Sequence, residues 1–139
     1  MKQKTHLREE MKRDLMKVYR EVCLTFNGNK QYDAYRLTVT HPAPRFYVDA
    51  KWAMQRVAPM LRGDRSGLEN VRPLTRQMYE DLFEVVVELS RKERFYGAST
   101  YHIIRHAVME PAPRFYIEEP RMRQIWQEKR IGGKERVKP

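Results

Sequence analysis

Two histidines are the side chains in this sequence whose type and spacing best suit metal binding. His102 and His106 lie four residues apart, which on a helix places both imidazoles on one face. The chain contains two similar halves, and the first half has Asp33 and Leu37 at the matching positions. The single cysteine, Cys23, lies far away in sequence. We therefore predict no metal site.

Sequence patterns typical of catalysis are also missing. The chain has no Gly-rich phosphate-binding loop, no nucleophile elbow and no Cys-x-x-Cys pair. Its carboxylates show no pairing beyond helical spacing. We predict a protein that is not an enzyme, has no cofactor and takes no small-molecule substrate.

An arginine followed by two aromatic residues occurs twice in identical surroundings. The hexapeptide Pro-Ala-Pro-Arg-Phe-Tyr stands at 42–47 and again at 111–116, and we call each occurrence an elbow. In a nucleic-acid-binding protein, an arginine beside an exposed tyrosine contacts phosphate while the tyrosine stacks on a base or sugar. This interpretation assigns nucleic-acid contacts to Arg45, Tyr47, Arg114 and Tyr116.

The elbows also have a purely structural interpretation. Two prolines stiffen a chain reversal at low entropic cost. Phe46 and Phe115 would then fill gaps between helices, and the arginines would bond to free carbonyls at helix ends. The two interpretations are compatible if each elbow turns its arginine and tyrosine outward.

The helix predicted after each elbow carries arginine and glutamine, which read guanine and adenine edges in the major groove. A short second helix, a stiff turn and this third helix resemble a helix-turn-helix unit, although the turn exceeds the usual three or four residues. Two units would occupy two half-sites, as a dimer does. The alternative is an ordinary solvated helix face. The candidate nucleic-acid-binding residues on the third helices are Lys51, Gln55, Arg56, Arg121, Arg123 and Gln124.

The elbow hexapeptide also resembles a pattern in small basic proteins of bacterial and phage genomes. The resemblance covers mainly the elbow and its flanking helices. It implies a phage or mobile-element setting and brings no assigned activity.

Similarity between the halves extends beyond the elbows. A shift of 69 positions aligns Val39 with Val108, and a shift of 67 aligns Asp14 with Asp81. The two-residue difference falls in a loop, where insertions are tolerated best. The sequence therefore predicts a mainly all-α fold: a tandem repeat of two three-helix, helix-turn-helix-like units with a pseudo-twofold relation.

Hydrophobic spacing and capping residues locate the three helices of each unit. The first helices repeat apolar residues at helical spacing, as in Met11, Leu15, Val18 and Val22 and in Met78, Leu82, Val85 and Leu89. We expect second helices at 32–40 and 101–109, with a short strand at 38–40 as the competing prediction. Asp49 is the expected N-cap of one third helix, and Ser99 or Thr100 of one second helix.

These elements give four segments. Residues 1–60 form the first helical repeat, 61–73 a linker with one helical turn, 74–130 the second helical repeat, and 131–139 a disordered tail. Gly132 and Gly133 followed by mixed charge are the reason for the last prediction.

The overall charge favours a polyanionic partner. The chain carries 28 Lys and Arg against 18 Asp and Glu, a net charge of +10, which attracts phosphate backbones through counterion release. The N-terminal residues are charged and lack the apolar core of a signal peptide, and one cysteine fits a reducing compartment. We expect a cytoplasmic protein that does not enter a membrane.

Two hypotheses follow. The first is a nucleic-acid-binding protein, for DNA rather than RNA, and it predicts one continuous surface containing Arg45, Arg56, Arg114, Arg121 and Arg123. The second is a structural or adaptor protein, such as a phage assembly component, with a protein partner or self-association. It predicts exposed apolar surface from Trp52, Trp126, Met54 or Tyr19, and contact between first helices whose aligned charges are opposite.

Overall fold

The computed structural model is mainly helical. It describes the backbone of residues 2–25 and 31–137, and the side chains of residues 6–25 and 33–129. Within the described backbone there are six α-helices, α1 to α6: Lys2–Thr25, Gln31–Val39, Ala50–Leu61, Pro73–Ser90, Thr100–Ala107 and Glu119–Val137. Short 3₁₀ turns lie at Ser66–Leu68 and Glu93–Phe95. The prediction of a mainly all-α fold is confirmed.

Capping residues begin the helices as the sequence indicates. Asp49 is the N-cap of α3, and Pro73 stands in the first turn of α4, where its missing N–H leaves no bond unmade. Ser99 is the N-cap of α5, and its side chain accepts a hydrogen bond of 3.1 Å from the His102 N–H. That bond satisfies one of the donors that a helix start leaves without a partner.

The competing strand at 38–40 is not observed. Helix α2 continues to Val39, and Thr40 lies in a turn. Thr38 is fully buried, and its hydroxyl donates to the Ala34 carbonyl at 2.8 Å. This back-bond satisfies the polar group inside the helix, so a β-branched residue is accommodated there.

The third helix of each half packs on the other half. Helix α1 packs on α2, and α4 packs on α5, within their own halves. Helix α3, however, packs on α5 and α4, whereas α6 packs on α2. This exchange differs from a helix-turn-helix unit, in which the helices joined by the turn pack on each other. The reason is the segment between the second and third helices, residues 40–49 or 108–118, which contains the elbow and carries the third helix across to the opposite half.

The elbows meet at the centre and bond reciprocally. The Ala43 N–H donates to the Ala112 carbonyl and the Ala112 N–H to the Ala43 carbonyl, both at 2.9 Å. The Phe46 N–H donates to Val108 O, and the Phe115 N–H donates to Val39 O, each at 3.0 Å. Each elbow is thereby attached to the end of the other half's second helix.

A single hydrophobic core runs through both halves. Its buried members include the apolar stripes of α1 and α4, the inner faces of α3 and α6, and both elbow phenylalanines, Phe46 and Phe115. The structural prediction for these two side chains is confirmed by their burial, at 0% and 1% exposed. Burial of an aromatic side chain of this size contributes about 2–3 kcal/mol.

The two segments outside the predicted repeats contain the following structure. The predicted linker contains the 3₁₀ turn Ser66–Leu68, and Leu68 is buried in the common core. Helix α6 continues to Val137, so the backbone of 131–137 is helical where the sequence predicts disorder. Two glycines oppose a helix by only about 1 kcal/mol each, and the surrounding Lys, Glu and Arg are good helix formers. Residues 138 and 139 lie outside the described residues.

Within the described part of the chain, no helix combines the length and the apolar composition required to cross a bilayer.

Candidate nucleic-acid interface

The elbow tyrosines are held by contacts within the protein. The Tyr47 hydroxyl donates to Asp14 Oδ2 on α1 at 2.5 Å, and the Tyr116 hydroxyl donates to Asp81 Oδ2 on α4 at 2.6 Å. These aspartates are the pair that the 67-residue shift aligns. The same hydrogen bond therefore fixes each elbow to the first helix of its own half.

The aromatic rings of the two elbows also stack across the halves. Phe46 stacks on Tyr116, and Tyr47 stacks on Phe115, with ring centroids 6.1 Å apart in both pairs. Such contacts add about 0.5–1.5 kcal/mol beyond the buried area. Neither tyrosine side chain is therefore free to rotate and stack on a base.

Burial and the neighbouring carboxylates suppress ionisation of these tyrosines. Desolvation is the main cause that raises the pKa of Tyr47, followed by its hydrogen bond to Asp14. Desolvation, then the bond to Asp81, likewise raises the pKa of Tyr116. Both phenols therefore remain neutral donors throughout the physiological range.

The two elbow arginines differ in their partners. Arg45 Nε donates to the Phe46 carbonyl at 3.1 Å, and its Nη1 lies 3.6 Å from Glu10 Oε2 on α1. Arg114 Nε donates to the Phe115 carbonyl at 3.0 Å, but no carboxylate of the described residues lies within salt-bridge distance. The position that corresponds to Glu10 is Gln77.

The carbonyls bound by these arginines belong to the elbow itself. The sequence predicted bonds to free carbonyls at helix ends, and that detail is wrong. In the extended elbow these backbone carbonyls have no partner in a β-ladder. The arginine that precedes Phe therefore donates to the next carbonyl along the chain. Arg45 keeps only 14% of its side chain exposed.

Four of the six predicted residues on the third helices are exposed. Lys51 and Gln55 on α3, and Arg123 and Gln124 on α6, are all exposed. Arg56 is partly buried and donates through Nη1 to the Gly67 carbonyl.

The sixth of these residues, Arg121, is partly buried. Its Nη1 donates to Gln124 Oε1 at 3.0 Å and lies 3.6 Å from Glu128 Oε1. A nucleic acid would have to compete with these internal partners.

Of the five arginines that the nucleic-acid hypothesis places on one continuous surface, three line different depressions. Arg45 lines a groove with His6 and Arg105, Arg56 lines a cleft between the halves, and Arg123 lines a third depression beside Tyr35.

An exposed basic stripe lies on α1 and was not among the predicted site residues. Arg13, Lys17 and Arg20 are exposed at helical spacing on one face, and no carboxylate of the described residues forms an ion pair with them. We call these three residues the basic stripe. The signal that could have found it is present in the sequence, because residues four and three apart on a helix share a face.

The aligned face of α4 is acidic. Glu84 and Glu88 are exposed, whereas Glu80 lies 3.7 Å from Arg76 and 3.9 Å from Arg65.

Arg13 and Lys17 align with Glu80 and Glu84, so these two positions carry opposite charges in α1 and α4, whereas Arg20 aligns with Val87. Among the described side chains no ion pair joins the two helices.

The residues of the two remaining predictions are placed as follows. His102 and His106 lie edge to face with ring centroids 4.8 Å apart, against Phe95. The described residues contain no group of three His, Cys, Asp or Glu arranged to hold a metal.

Of the apolar surface proposed for an adaptor, Tyr19 is buried and Trp126 and Met54 are partly buried, while Trp52 is 38% exposed.

No family model, curated protein or solved structure matches this chain.

Proposed function

We propose that the protein is a tandem duplication whose halves are related by a pseudo-twofold axis through the elbows. The support is that every central hydrogen bond has a counterpart shifted by 69 residues: Ala43 with Ala112, and Phe46–Val108 with Phe115–Val39. The exchanged packing, α3 on α5 and α6 on α2, obeys the same relation.

We further propose that this scaffold binds nucleic acid, duplex DNA rather than RNA, without catalysing a reaction. The observation that carries the proposal is the basic stripe, Arg13, Lys17 and Arg20. Three adjacent positive charges without carboxylate partners are strongly attracted to a phosphate backbone. In a chain of net charge +10, this stripe offers three neighbouring positive charges on one helix face.

The third helices supply the groups for contact with bases. Gln55 and Gln124 occupy corresponding exposed positions on α3 and α6, beside Lys51 and Arg123. Glutamine bonds in a bidentate manner to adenine, and arginine to guanine, in the major groove. The elbow residues Arg45, Tyr47, Arg114 and Tyr116 then act mainly by holding these helices in place.

The test is binding of labelled duplex DNA, single-stranded DNA and RNA over a salt series. We expect tightest binding to duplex DNA and a steep salt dependence. In the triple variant Arg13→Gln/Lys17→Gln/Arg20→Gln, the slope of log K against log salt falls by about 2–3, since each lost phosphate contact removes about 0.9.

The matched control removes the same charge elsewhere. Arg62, Arg72 and Arg91 are exposed, and their triple Gln variant should keep most of the slope. An equal loss of slope in both variants would show that only net charge matters, and it would contradict the assignment of nucleic-acid binding to the basic stripe. No binding of any nucleic acid at low salt would overturn the function.

An adaptor role is the second candidate, favoured by exposed apolar side chains and by the acidic face of α4. Leu24, Leu37, Tyr96 and Met109 are 86%, 47%, 68% and 57% exposed. Head-to-tail contact between the basic stripe and Glu84 and Glu88 of a second chain would self-associate the protein at low salt. Sedimentation showing a monomer at every salt concentration and protein concentration would exclude that contact.

A further inference from the structure

A cleft between the halves has walls formed by corresponding residues of both. It encloses about 430 Å³, within the range of pockets that hold small molecules. Met11 and Met78, Tyr47 and Tyr116, and Val48 and Ile117 all line it. Each pair consists of residues that the shifts of 67 or 69 align, so the cleft lies between matching surfaces of the two halves.

The walls are largely apolar and aromatic. The rings of Tyr47 and Tyr116 are fixed by their bonds to Asp14 and Asp81, and Trp52 lies on the same cleft. Rigid rings lose little conformational entropy when a ligand binds. A flat apolar body is the shape that such walls accommodate.

The charged groups of the cleft favour an anion. Arg8 and Arg56 line it against one carboxylate, Asp49. Arg8 is exposed and has no ion pair among the described residues. Arg56 lies close enough to Tyr79, another lining residue, to oppose part of the rise that burial causes in the pKa of that phenol.

Two helix N-termini add to the positive electrostatic potential in the cleft. Trp52 and Thr75, which line the cleft, are the third residues of α3 and α4. Neither helix has a side-chain hydrogen bond at its N-cap. The positive ends of both helix dipoles therefore adjoin a cavity that two arginines also line.

We propose that this cleft is a binding site for a small organic anion with a flat apolar body, such as an aromatic carboxylate. The apolar rings hold the body of the ligand, and Arg8 and Arg56 bind its carboxylate. The ligand is bound and released unchanged. This site is separate from the basic stripe, so it does not depend on the proposed nucleic-acid function.

The experiment is calorimetric titration of the full chain with 2-naphthoate and with its neutral analogue 2-naphthalenemethanol. We expect naphthoate to bind about ten-fold more tightly, because a charge-assisted hydrogen bond contributes more than a neutral one. In Arg8→Gln the advantage of the carboxylate falls to about three-fold or less, whereas Arg91→Gln, at an exposed position outside the cleft, leaves it unchanged.

A cleft-filling variant locates the binding. Thr75 is an exposed residue on the cleft wall, so Thr75→Trp should occupy the space while thermal unfolding stays cooperative. Loss of binding of both compounds in this variant supports the proposal. Equal affinity for the acid and the alcohol, undiminished binding in folded Thr75→Trp, or no binding by the wild-type chain would overturn it.

Discussion

The hydrogen bonds from Tyr47 to Asp14 and from Tyr116 to Asp81 are the most specific polar contacts of the elbows. Each joins a neutral donor to a carboxylate at a partly buried site. We expect Tyr47→Phe and Tyr116→Phe each to lower the free energy of unfolding by about 1.5–2 kcal/mol, the lower part of the range for bonds to charged groups. Urea denaturation measures this.

The control for that pair is Tyr96→Phe, because Tyr96 is 68% exposed. Its unfolding free energy should change by less than about 0.5 kcal/mol. A loss in Tyr96→Phe as large as that in the elbow variants would mean that the bonds to aspartate contribute nothing.

The raised pKa of Tyr47 and Tyr116 predicts a loss of stability in alkali. In the unfolded chain a tyrosine titrates near 10, whereas in the folded protein desolvation, then the hydrogen bond to aspartate, raises the pKa. The folded state thus retains protons that the unfolded state releases. The stabilisation is complete below pH about 10 and is lost as the pH rises above it.

The measurement is unfolding free energy at pH 8 and at pH 11. The wild type and Tyr96→Phe should lose similar stability over this range, and the double variant Tyr47→Phe/Tyr116→Phe should lose less. An equal loss in all three proteins would contradict the linkage to the elbow phenols.

At the scale of elements, the N-cap of α5 has a measurable effect. Helix α5 has only eight residues and packs on α3 of the other half, so its start depends on the Ser99 cap. Ser99→Ala should lower stability by about 1 kcal/mol. Ser90→Ala, at the end of α4, is the control and should have a smaller effect; equal effects would exclude a capping role.

The helices were predictable from sequence, whereas their partners were not. Leu15, Val57 and Leu82 each belong to a series of apolar residues at helical spacing on its own helix, and this spacing indicates which face of the helix is buried. It does not state which half covers that face, and the exchange of α3 and α6 therefore could not be derived. The strand-like Thr38 shows a second limit, since its bond to Ala34 satisfies a buried hydroxyl inside a helix that composition alone disfavours.

The candidate site was predictable in part for a related reason. Exposure of Lys51, Gln55, Arg123 and Gln124 follows from the positions of the buried residues on their helices. The bonds of Tyr47 and Tyr116 join residues 33 and 35 positions apart. The aligned aspartates were visible as a duplicated pair, but only the folded elbow brings them to the tyrosines.

At the scale of the whole molecule, the common core predicts one cooperative transition. Phe46 and Phe115 are fully buried and contact both elbows. Phe46→Ala and Phe115→Ala should each lower stability by about 3–5 kcal/mol, and each should shift the single unfolding transition of both halves. Calorimetry that resolved two transitions, with only one moved by each substitution, would contradict this.

The exchange of α3 and α6 also bears on how such a molecule could arise. A lone half would expose the faces that now cover each other, and it could satisfy them only against a second identical chain. Under the proposed duplication, the crossed arrangement would correspond to the interface of a homodimer contained in one polypeptide. Because the halves are covalently joined, their pairing does not depend on protein concentration. The surfaces of the two halves also no longer need to be identical. The basic α1 and the acidic α4 are a difference that no symmetric dimer of identical chains could possess.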